Sequence, residues 1–147
     1  MTEELKLKNQ ICFKHYVISK EIIRRYKPLL DPLNLTYTSY IVMLVLWEKD
    51  KISMKEMSDV LYLDSGTLTP VLKKLETKGY IKRVRSKEDE RVVFIHLTKA
   101  GVALESLAKE VPKKLLDDIF PGIVDEKTMF EHMTALDQII QILNPCE

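Results

Sequence analysis

The residues with the clearest capacity for chemistry lie between positions 61 and 101, where a predicted helix opens with short hydroxyl and acidic side chains. Such side chains approach base edges and phosphates closely, and the amide groups at a helix N-terminus attract phosphate. A turn of about four residues, 61–64, separates this helix from a shorter one, which is the spacing of a helix-turn-helix. In that motif the second helix enters the major groove of DNA. The predicted DNA contacts on this helix are Asp64, Ser65, Thr67, Thr69, Lys73 and Lys74.

A basic hairpin follows the helix. Residues 80–85 and 92–97 are rich in alternating and β-branched side chains and flank the polar tip SKEDE, which predicts two antiparallel strands. Arg91 follows the tip and is well placed to enter the minor groove next to the helix. Asp89, two residues earlier, is placed to hold the guanidinium of Arg91. The predicted DNA contacts on the hairpin are Arg83, Arg85, Asp89 and Arg91.

A second chemical feature is Cys12, a lone thiol in a predicted helix of aromatic and aliphatic residues. A thiolate that hydrogen-bond donors stabilise can be oxidised to sulfenic acid. Tyr16 lies one turn later on the same face, whereas Tyr26 is roughly 21 Å farther along the helix and reaches a Cys12 only in an intertwined partner chain. The alternative is that Cys12 is a small buried hydrophobic residue, a common role for free cysteine.

Apolar periodicity and capping signals predict six helices that position these residues. The first stops near Pro28, the fourth ends at Gly79, and the fifth is a long helix that Pro112 kinks. The second is capped by Thr36 or Thr38, is apolar almost all round and is predicted to be central. The predicted helices span residues 7–27, 36–48, 53–60, 64–79, 98–120 and 125–143.

The element order α-α-α-α-β-β-α-α predicts a mainly α winged helix-turn-helix, with the small β-hairpin as the wing. The first helix and the last two carry more apolar surface than one small lobe buries, which favours a homodimer made by the N- and C-terminal helices. We expect a single domain over residues 1–147. Residues of about 1–35 and 102–147 would supply the dimerisation helices, and residues of about 36–101 the DNA-binding core.

Composition agrees with a DNA partner only when the charge is followed along the chain. The net charge of the 147 residues is +1, but residues 51–100 hold 11 Lys and Arg against 7 Asp and Glu, while residues 101–147 hold 4 against 9. No apolar run is long enough to span a bilayer, and the N-terminus lacks the apolar segment of a secretory signal. We therefore expect a cytoplasmic protein with no membrane partner, reduced cysteines, no cofactor and no metal site.

Several short motifs resemble a known family. Asp89-x-Arg91, followed by Leu97-Thr98-x-x-Gly101, resembles the wing segment of the MarR family of winged-helix repressors. The tracts NQICF, YKPLLD, LNLTY, LWE and LYLDSGTLTPVLKKLE are similar to the branch of that family that senses organic hydroperoxides. The resemblance covers roughly residues 9–101. It implies a homodimer that binds a pseudo-palindromic operator and represses transcription.

The resemblance also implies roles for the thiol and its neighbours. Cys12 would be the reactive cysteine, with Tyr26 and Tyr37 contacting it across the dimer. Our hypothesis is that an organic hydroperoxide oxidises Cys12 and the dimer then releases its operator. Cys146 is either a resolving cysteine for the oxidised thiol or a passive thiol in the C-terminal tail. The tail position favours the passive role.

Two other functions stay open at this level. One is a MarR-type repressor that a phenolic or other apolar ligand controls, with Cys12 merely lining the ligand cavity. The other is a thiol peroxidase. The sequence argues against an enzyme because no pattern supplies a catalytic base or an oxyanion site beside Cys12.

Overall fold

The computed structural model describes residues 2–119 and 125–144. The chain forms two compact units, Met1–Pro112 and Lys113–Glu147. The single domain expected over residues 1–147 stays a prediction. The elements in chain order are α1 (Ile11–Leu30), α2 (Tyr37–Glu48), β1 (Ile52–Ser53), α3 (Met54–Leu61), α4 (Ser65–Thr77), β2 (Ile81–Arg85), β3 (Val93–Leu97), α5 (Lys99–Ala108), α6 (Val111–Ile119) and α7 (Glu126–Leu143). Short 3-10 turns, Glu3–Leu5, Leu7–Asn9 and Asp31–Leu33, complete the description.

Local capping interactions start most of these helices. Ser53 and Glu56 form the predicted capping box of α3, with bonds of 2.9 and 3.2 Å between each side chain and the other residue's backbone N–H. Thr36 caps α2, Asp64 caps α4 and Thr98 caps α5 in the same way. The mainly α fold class with a small β wing is therefore confirmed, since the predicted helix-turn-helix and hairpin are both present.

Three predicted helix boundaries were wrong, and proline is involved in two of them. Helix α1 begins at Ile11 rather than at residue 7, because Leu7–Asn9 forms a separate 3-10 turn. Helix α1 continues through Pro28 to Leu30, whose side chain is only 1% exposed, so burial of the last turn offsets the cost of proline in the helix. The long helix predicted over residues 98–120 is instead two helices, α5 and α6. Pro112 has no N–H to offer the carbonyl of Ala108, which is where α5 ends. Phe120 and the break predicted at Pro121-Gly122 lie outside the described residues.

The sheet has one strand more than predicted. β1 pairs antiparallel with β3, with Ile52 opposite Ile95, and the strand order is β1-β3-β2. A two-residue strand is too short to show alternation in the sequence. Its pairing with β3 joins the chain after α2 to the base of the wing.

The core of the first unit surrounds α2, as its apolar sequence predicted. Tyr40, Val42, Met43 and Leu46 of this helix are at most 1% exposed. The side chains that share the core and are fully buried come from α1, α3, α4 and the sheet, and they are Leu30, Met57, Leu68, Leu72, Leu75, Ile81 and Ile95. The core therefore connects the helix-turn-helix, the wing and the end of α1 into one packed body.

Large apolar side chains remain exposed on α1 and α7. Ile11 is 65% and Ile18 51% exposed on α1, and Met133 is 58% and Leu143 72% exposed on α7. Faces of this size on a single chain mark interaction surfaces. Among the described residues no single helix has the length and apolar composition to cross a membrane, although one sharply bent pair, Ile11–Leu33 with Tyr37–Glu48, does by those two measures.

Candidate nucleic-acid interface and thiol site

The recognition helix α4 begins with a closed hydrogen-bond unit. The carboxylate of Asp64 accepts from the backbone N–H of Thr67 at 2.8 Å and from its hydroxyl at 2.9 Å. These bonds hold the pKa of Asp64 below its usual range, so the carboxylate is charged at neutral pH. A Cβ on Gly66 would lie 2.9 Å from Asp64 Oδ1, so a small residue suits this turn. Asp64 and Thr67 thus shape the helix start, where Ser65 is exposed.

Cationic side chains follow along α4. Lys73 and Lys74 are exposed, and within the described part of the chain neither makes an ion pair. Thr69, the remaining predicted contact, is half-buried. Ser65, Lys73 and Lys74 are therefore exposed hydroxyl and cationic side chains on α4, of the types that contact phosphate.

The tip of the wing is a tight hydrogen-bonded turn. Ser86 Oγ accepts from the backbone N–H groups of Glu88 and Asp89, and Asp89 Oδ1 accepts the backbone N–H of Arg91 at 2.9 Å. The prediction that Asp89 holds the Arg91 guanidinium is corrected: its bond runs to the backbone amide. Asp89 shapes the turn, and the side chains of Arg85 and Arg91 are exposed.

Arg83 does not have the free guanidinium that the sequence suggested. Its Nε and Nη2 donate to Glu76 Oε2 at 2.8 and 2.6 Å, and its backbone N–H donates to Glu76 Oε1 at 3.1 Å. The bonds from Arg83 also hold the pKa of Glu76 below its usual range. The cation is therefore paired within the protein and joins α4 to β2, and its contact with DNA stays a prediction.

One candidate contact was missed. Lys51 lies just before β1, and its Nζ stands 4.7 Å from the centre of the Phe94 ring. It borders a hollow of about 420 Å³ on the outer face of the wing, which Arg85, Lys87 and His96 also line. In the sequence, Lys51 stands alone between two predicted helices and belongs to no recognisable motif. Only the pairing of β1 with β3 reveals that it joins the basic wing.

Cys12 lies in the first turn of α1, and it is the free thiol of the described residues. Its side chain is exposed, so within one chain Cys12 is not the small buried hydrophobic residue of the alternative interpretation. Tyr16 is also exposed at 61%; its ring stacks on Phe13 at 6.4 Å, and Lys20 Nζ lies 5.8 Å from its centre. Cys146 lies outside the described residues.

Tyr26 and Tyr37 come together at the far end of α1, as part of a cluster of four aromatic rings. The centre of the Tyr26 ring is 4.8 Å from that of Tyr37 and 5.6 Å from that of Tyr40, and Tyr40 lies 6.4 Å from Trp47. Burial, with the neighbouring Tyr37 and Tyr40, raises the pKa of Tyr26 to about 12, and burial also raises the pKa of Tyr37 and of Tyr40. These hydroxyls stay protonated at neutral pH and can donate hydrogen bonds.

An apolar hollow of about 360 Å³ opens beside this cluster. It lies between the end of α1 and the start of α2, and its lining includes Ile23, Leu30, Leu35 and Tyr37. The tyrosine pair therefore borders a concave apolar surface. Among the described residues, no three His, Cys, Asp or Glu side chains are grouped so that they could hold a metal ion.

Comparison with known proteins places the chain among bacterial regulators. The family model described as "Transcriptional regulator SarA/Rot" matches residues 24–106. The chain is 50% identical over 114 residues to an organic hydroperoxide resistance transcriptional regulator of Bacillus subtilis, covering 78% of each chain. It is 46% identical over 121 residues to the HTH-type transcriptional regulator SarZ of Staphylococcus haemolyticus, covering 82% of each.

Solved structures of AbfR, a protein of Staphylococcus epidermidis, match nearly the whole chain. The reduced form bound to DNA superposes with a TM-score of 0.78 at 31% identity and covers 96% of both chains. The disulfide form superposes with a TM-score of 0.64 at 31% identity, covering 96% of this chain and 92% of that one. The likeness is higher to the DNA-bound reduced form.

Proposed function

Because the chain belongs to the MarR family of winged-helix transcriptional regulators, in the branch that senses organic hydroperoxides, we propose that it is a homodimeric repressor. It binds a pseudo-palindromic operator while Cys12 is reduced, and it releases the DNA when an organic hydroperoxide oxidises Cys12. The observation that carries the proposal is where the thiol and the tyrosine hydroxyls lie relative to α1. An exposed thiol lies at one end of α1, and two protonated tyrosine hydroxyls lie at the other end.

A dimer brings the two halves together. Helix α1 is continuous over its 20 residues, so Cys12 and Tyr26 are roughly 21 Å apart along one chain. The exposed apolar face of α1 requires cover, and a second copy whose α1 runs alongside supplies it. In that arrangement Cys12 of one subunit meets Tyr26 and Tyr37 of the other, beside the apolar hollow. Tyrosine hydroxyls that donate to sulfur stabilise the thiolate.

The chemistry at Cys12 is a two-electron oxidation. The thiolate attacks the outer oxygen of the hydroperoxide, the O–O bond breaks, and the alcohol leaves after it gains a proton. Sulfur is oxidised to sulfenic acid and the peroxide is reduced to the alcohol. A second thiol then condenses with the sulfenic acid to form a disulfide, with loss of water. The apolar rings and aliphatic side chains of α1 favour an organic peroxide over hydrogen peroxide.

Loss of DNA follows from geometry. Two α4 helices in a dimer occupy successive major-groove segments, whose centres are about 34 Å apart. Once the sulfur is part of a bulky disulfide, the tyrosine contacts that hold one α1 against the other are lost. A shift of a few ångströms between the subunits then separates the helices from the DNA register. Structures of AbfR support assigning release to the disulfide, since both its reduced form and its overoxidised form were solved bound to DNA, and its disulfide form was solved separately.

Cys12→Ser provides the test, in a gel shift on the upstream region of the protein's own gene with and without cumene hydroperoxide. We expect the variant to bind DNA as tightly as the wild type and to remain bound after peroxide. The control is Cys146→Ser, which we expect to respond as the wild type does. Release of the Cys12→Ser variant by peroxide would show that another group senses it. A peroxide-induced covalent dimer that depends on Cys146, seen on a non-reducing gel, would instead assign that residue the resolving role.

The relatives are named as transcriptional regulators, which does not favour an enzyme, and one is named for resistance to organic hydroperoxide, which does not favour control by a phenolic ligand. We therefore propose that the protein is not an enzyme and that it acts in the cytoplasm, where it meets DNA. Sustained consumption of hydroperoxide in the presence of a thiol reductant would contradict the first statement. DNA binding that a phenolic compound abolishes and peroxide does not would favour the ligand-controlled repressor.

A further inference from the structure

The last turn of the recognition helix and the first strand of the wing are joined by one ion pair. Both oxygens of Glu76 are used: Oε2 accepts two bonds from the Arg83 guanidinium, and Oε1 accepts its backbone N–H. The side chains are 36% and 30% exposed, so the pair is partly shielded from water. Because one carboxylate accepts all three hydrogen bonds, they constrain both the distance and the direction of β2 relative to α4.

The pair lies where the wing leaves the body of the protein. Closer to the core, the backbone N–H of Tyr80 donates to the carbonyl of Leu75 at 3.1 Å, and Ile81 is buried. Farther out, Val84 and Arg85 are exposed. Among the described residues, Glu76 and Arg83 therefore provide the outermost side-chain link between helix and hairpin, beyond which the wing extends without support from α4.

We propose that Glu76 is a positioning residue for DNA recognition, which acts through Arg83 to set the spacing between α4 and the wing. The inference rests on the proposed DNA-binding function. A winged helix contacts DNA at two places, since α4 enters the major groove and the wing tip meets the neighbouring minor groove. If the distance between the two contacts is not fixed in the free protein, the wing must be ordered when DNA binds, and this lowers the affinity.

Two possible roles of Arg83 predict opposite signs for Glu76→Gln. If Arg83 were a phosphate contact, removal of the adjacent negative charge would strengthen DNA binding, because the carboxylate repels phosphate and competes for the guanidinium. If the pair positions the wing, the same variant weakens operator binding, by at least about threefold. In the second case the slope of log affinity against log salt stays unchanged, because no phosphate contact is lost.

The experiment is a fluorescence anisotropy titration of the full-length reduced protein, over a salt series, on the operator duplex and on a scrambled duplex. The variants are Glu76→Gln, Arg83→Lys and the exchange of both residues, E76R with R83E. Glu105→Gln removes a similar charge from the exposed surface of α5 and is the matched control. Melting temperatures by circular dichroism accompany each titration, so that an unfolded variant is recognised.

We expect Glu76→Gln and Arg83→Lys to weaken operator binding, the exchanged pair to recover at least half of the lost affinity on a logarithmic scale, and Glu105→Gln to bind as the wild type does. The inference is overturned if Glu76→Gln binds as tightly as the wild type or more tightly. It is also overturned if the folded exchange variant binds no better than Glu76→Gln and its salt slope is smaller by about 0.9, the signature of a lost phosphate contact. A wild-type protein that binds no duplex would instead refute the proposed function itself.

Discussion

Gly101 allows α5 to lie directly against the base of the wing, and Gly101→Ala is the sharpest test of that contact. A Cβ at this position would lie 2.1 Å from the carbonyl oxygen of Tyr80 and 3.1 Å from Leu97 Cδ2. The Tyr80 oxygen belongs to the backbone, so it cannot rotate away as a side chain can. Helix α5 would have to move by at least about 1.3 Å, because ordinary van der Waals contact begins at 3.4 Å.

The cost of that movement follows from the bonds around Gly101. Its carbonyl accepts from Trp47 Nε1 at 2.9 Å, and the backbone N–H of Thr98 donates to the Tyr80 carbonyl at 3.0 Å. Overpacking of a tight site costs about 1–3 kcal/mol, and loss of a part-buried hydrogen bond adds about 1 kcal/mol. A total of about 3 kcal/mol lowers the melting temperature by about 6–12 °C for a chain of this length.

The matched control is Gly79→Ala. A Cβ there meets nothing within 4 Å, but the backbone φ of +76° is unfavourable for alanine and costs about 1 kcal/mol. Thermal unfolding of the three proteins at one protein concentration should therefore rank wild type above Gly79→Ala and Gly79→Ala above Gly101→Ala. If Gly101→Ala melts within about 2 °C of the wild type, α5 does not lie against Tyr80 as described.

Three further predictions concern single side chains. Hydrogen bonds from Ser53 and Lys49 lower the pKa of Glu56 to about 2, so its contribution to stability is present above the unfolded value of 4.5 and is lost as the pH falls toward 2. Glu56→Gln should accordingly lower the melting temperature at neutral pH, with a difference from the wild type that narrows between pH 4.5 and 2. For Tyr26, ultraviolet titration of the protein under reducing conditions should show a phenol with a pKa of about 12 that is absent from the Tyr26→Phe variant. If the variant instead loses a phenol with the ordinary pKa of 10.0, the Tyr26 ring lies in water. Arg91→Ala should weaken binding to the operator and to a scrambled duplex, with a salt slope smaller by about 0.9, because its side chain meets the DNA backbone or minor groove; an unchanged slope would remove Arg91 from the interface.

The sequence predicted the local features of the fold well because their signals lie within a few residues. The Ser53–Glu56 capping box and the caps Thr36, Asp64 and Thr98 each join a side chain to a backbone N–H three residues later. Such contacts can be read without knowledge of the rest of the chain. The first turn of α5 and the position of the helix-turn-helix follow from them.

The errors concern contacts between distant or competing partners. Arg83 was assigned to DNA because a basic strand favours phosphate, but Glu76, on the preceding helix, pairs with it first. Asp89 was assigned to a guanidinium, whereas a backbone N–H two residues away forms a shorter loop with less loss of entropy. Lys51 was overlooked because its place beside the wing depends on β1, whose partner lies about 40 residues away. A count of basic residues in a wing therefore does not show which cations are paired within the protein, nor which cations from elsewhere in the chain lie beside the wing.

The geometry of α1 makes peroxide sensing a property of two chains. Because α1 is one continuous helix, Cys12 and Tyr26 are roughly 21 Å apart along it, so no side-chain movement within one subunit brings the tyrosine hydroxyl to the sulfur. The raised pKa of Tyr26 shows that its hydroxyl remains a hydrogen-bond donor throughout the physiological range. If the partner chain supplies this donor, a subunit that separates from its partner loses the group that stabilises its thiolate. The same contacts that hold the dimer on DNA would then also make Cys12 reactive, which couples detection of the peroxide to the state in which the operator is occupied.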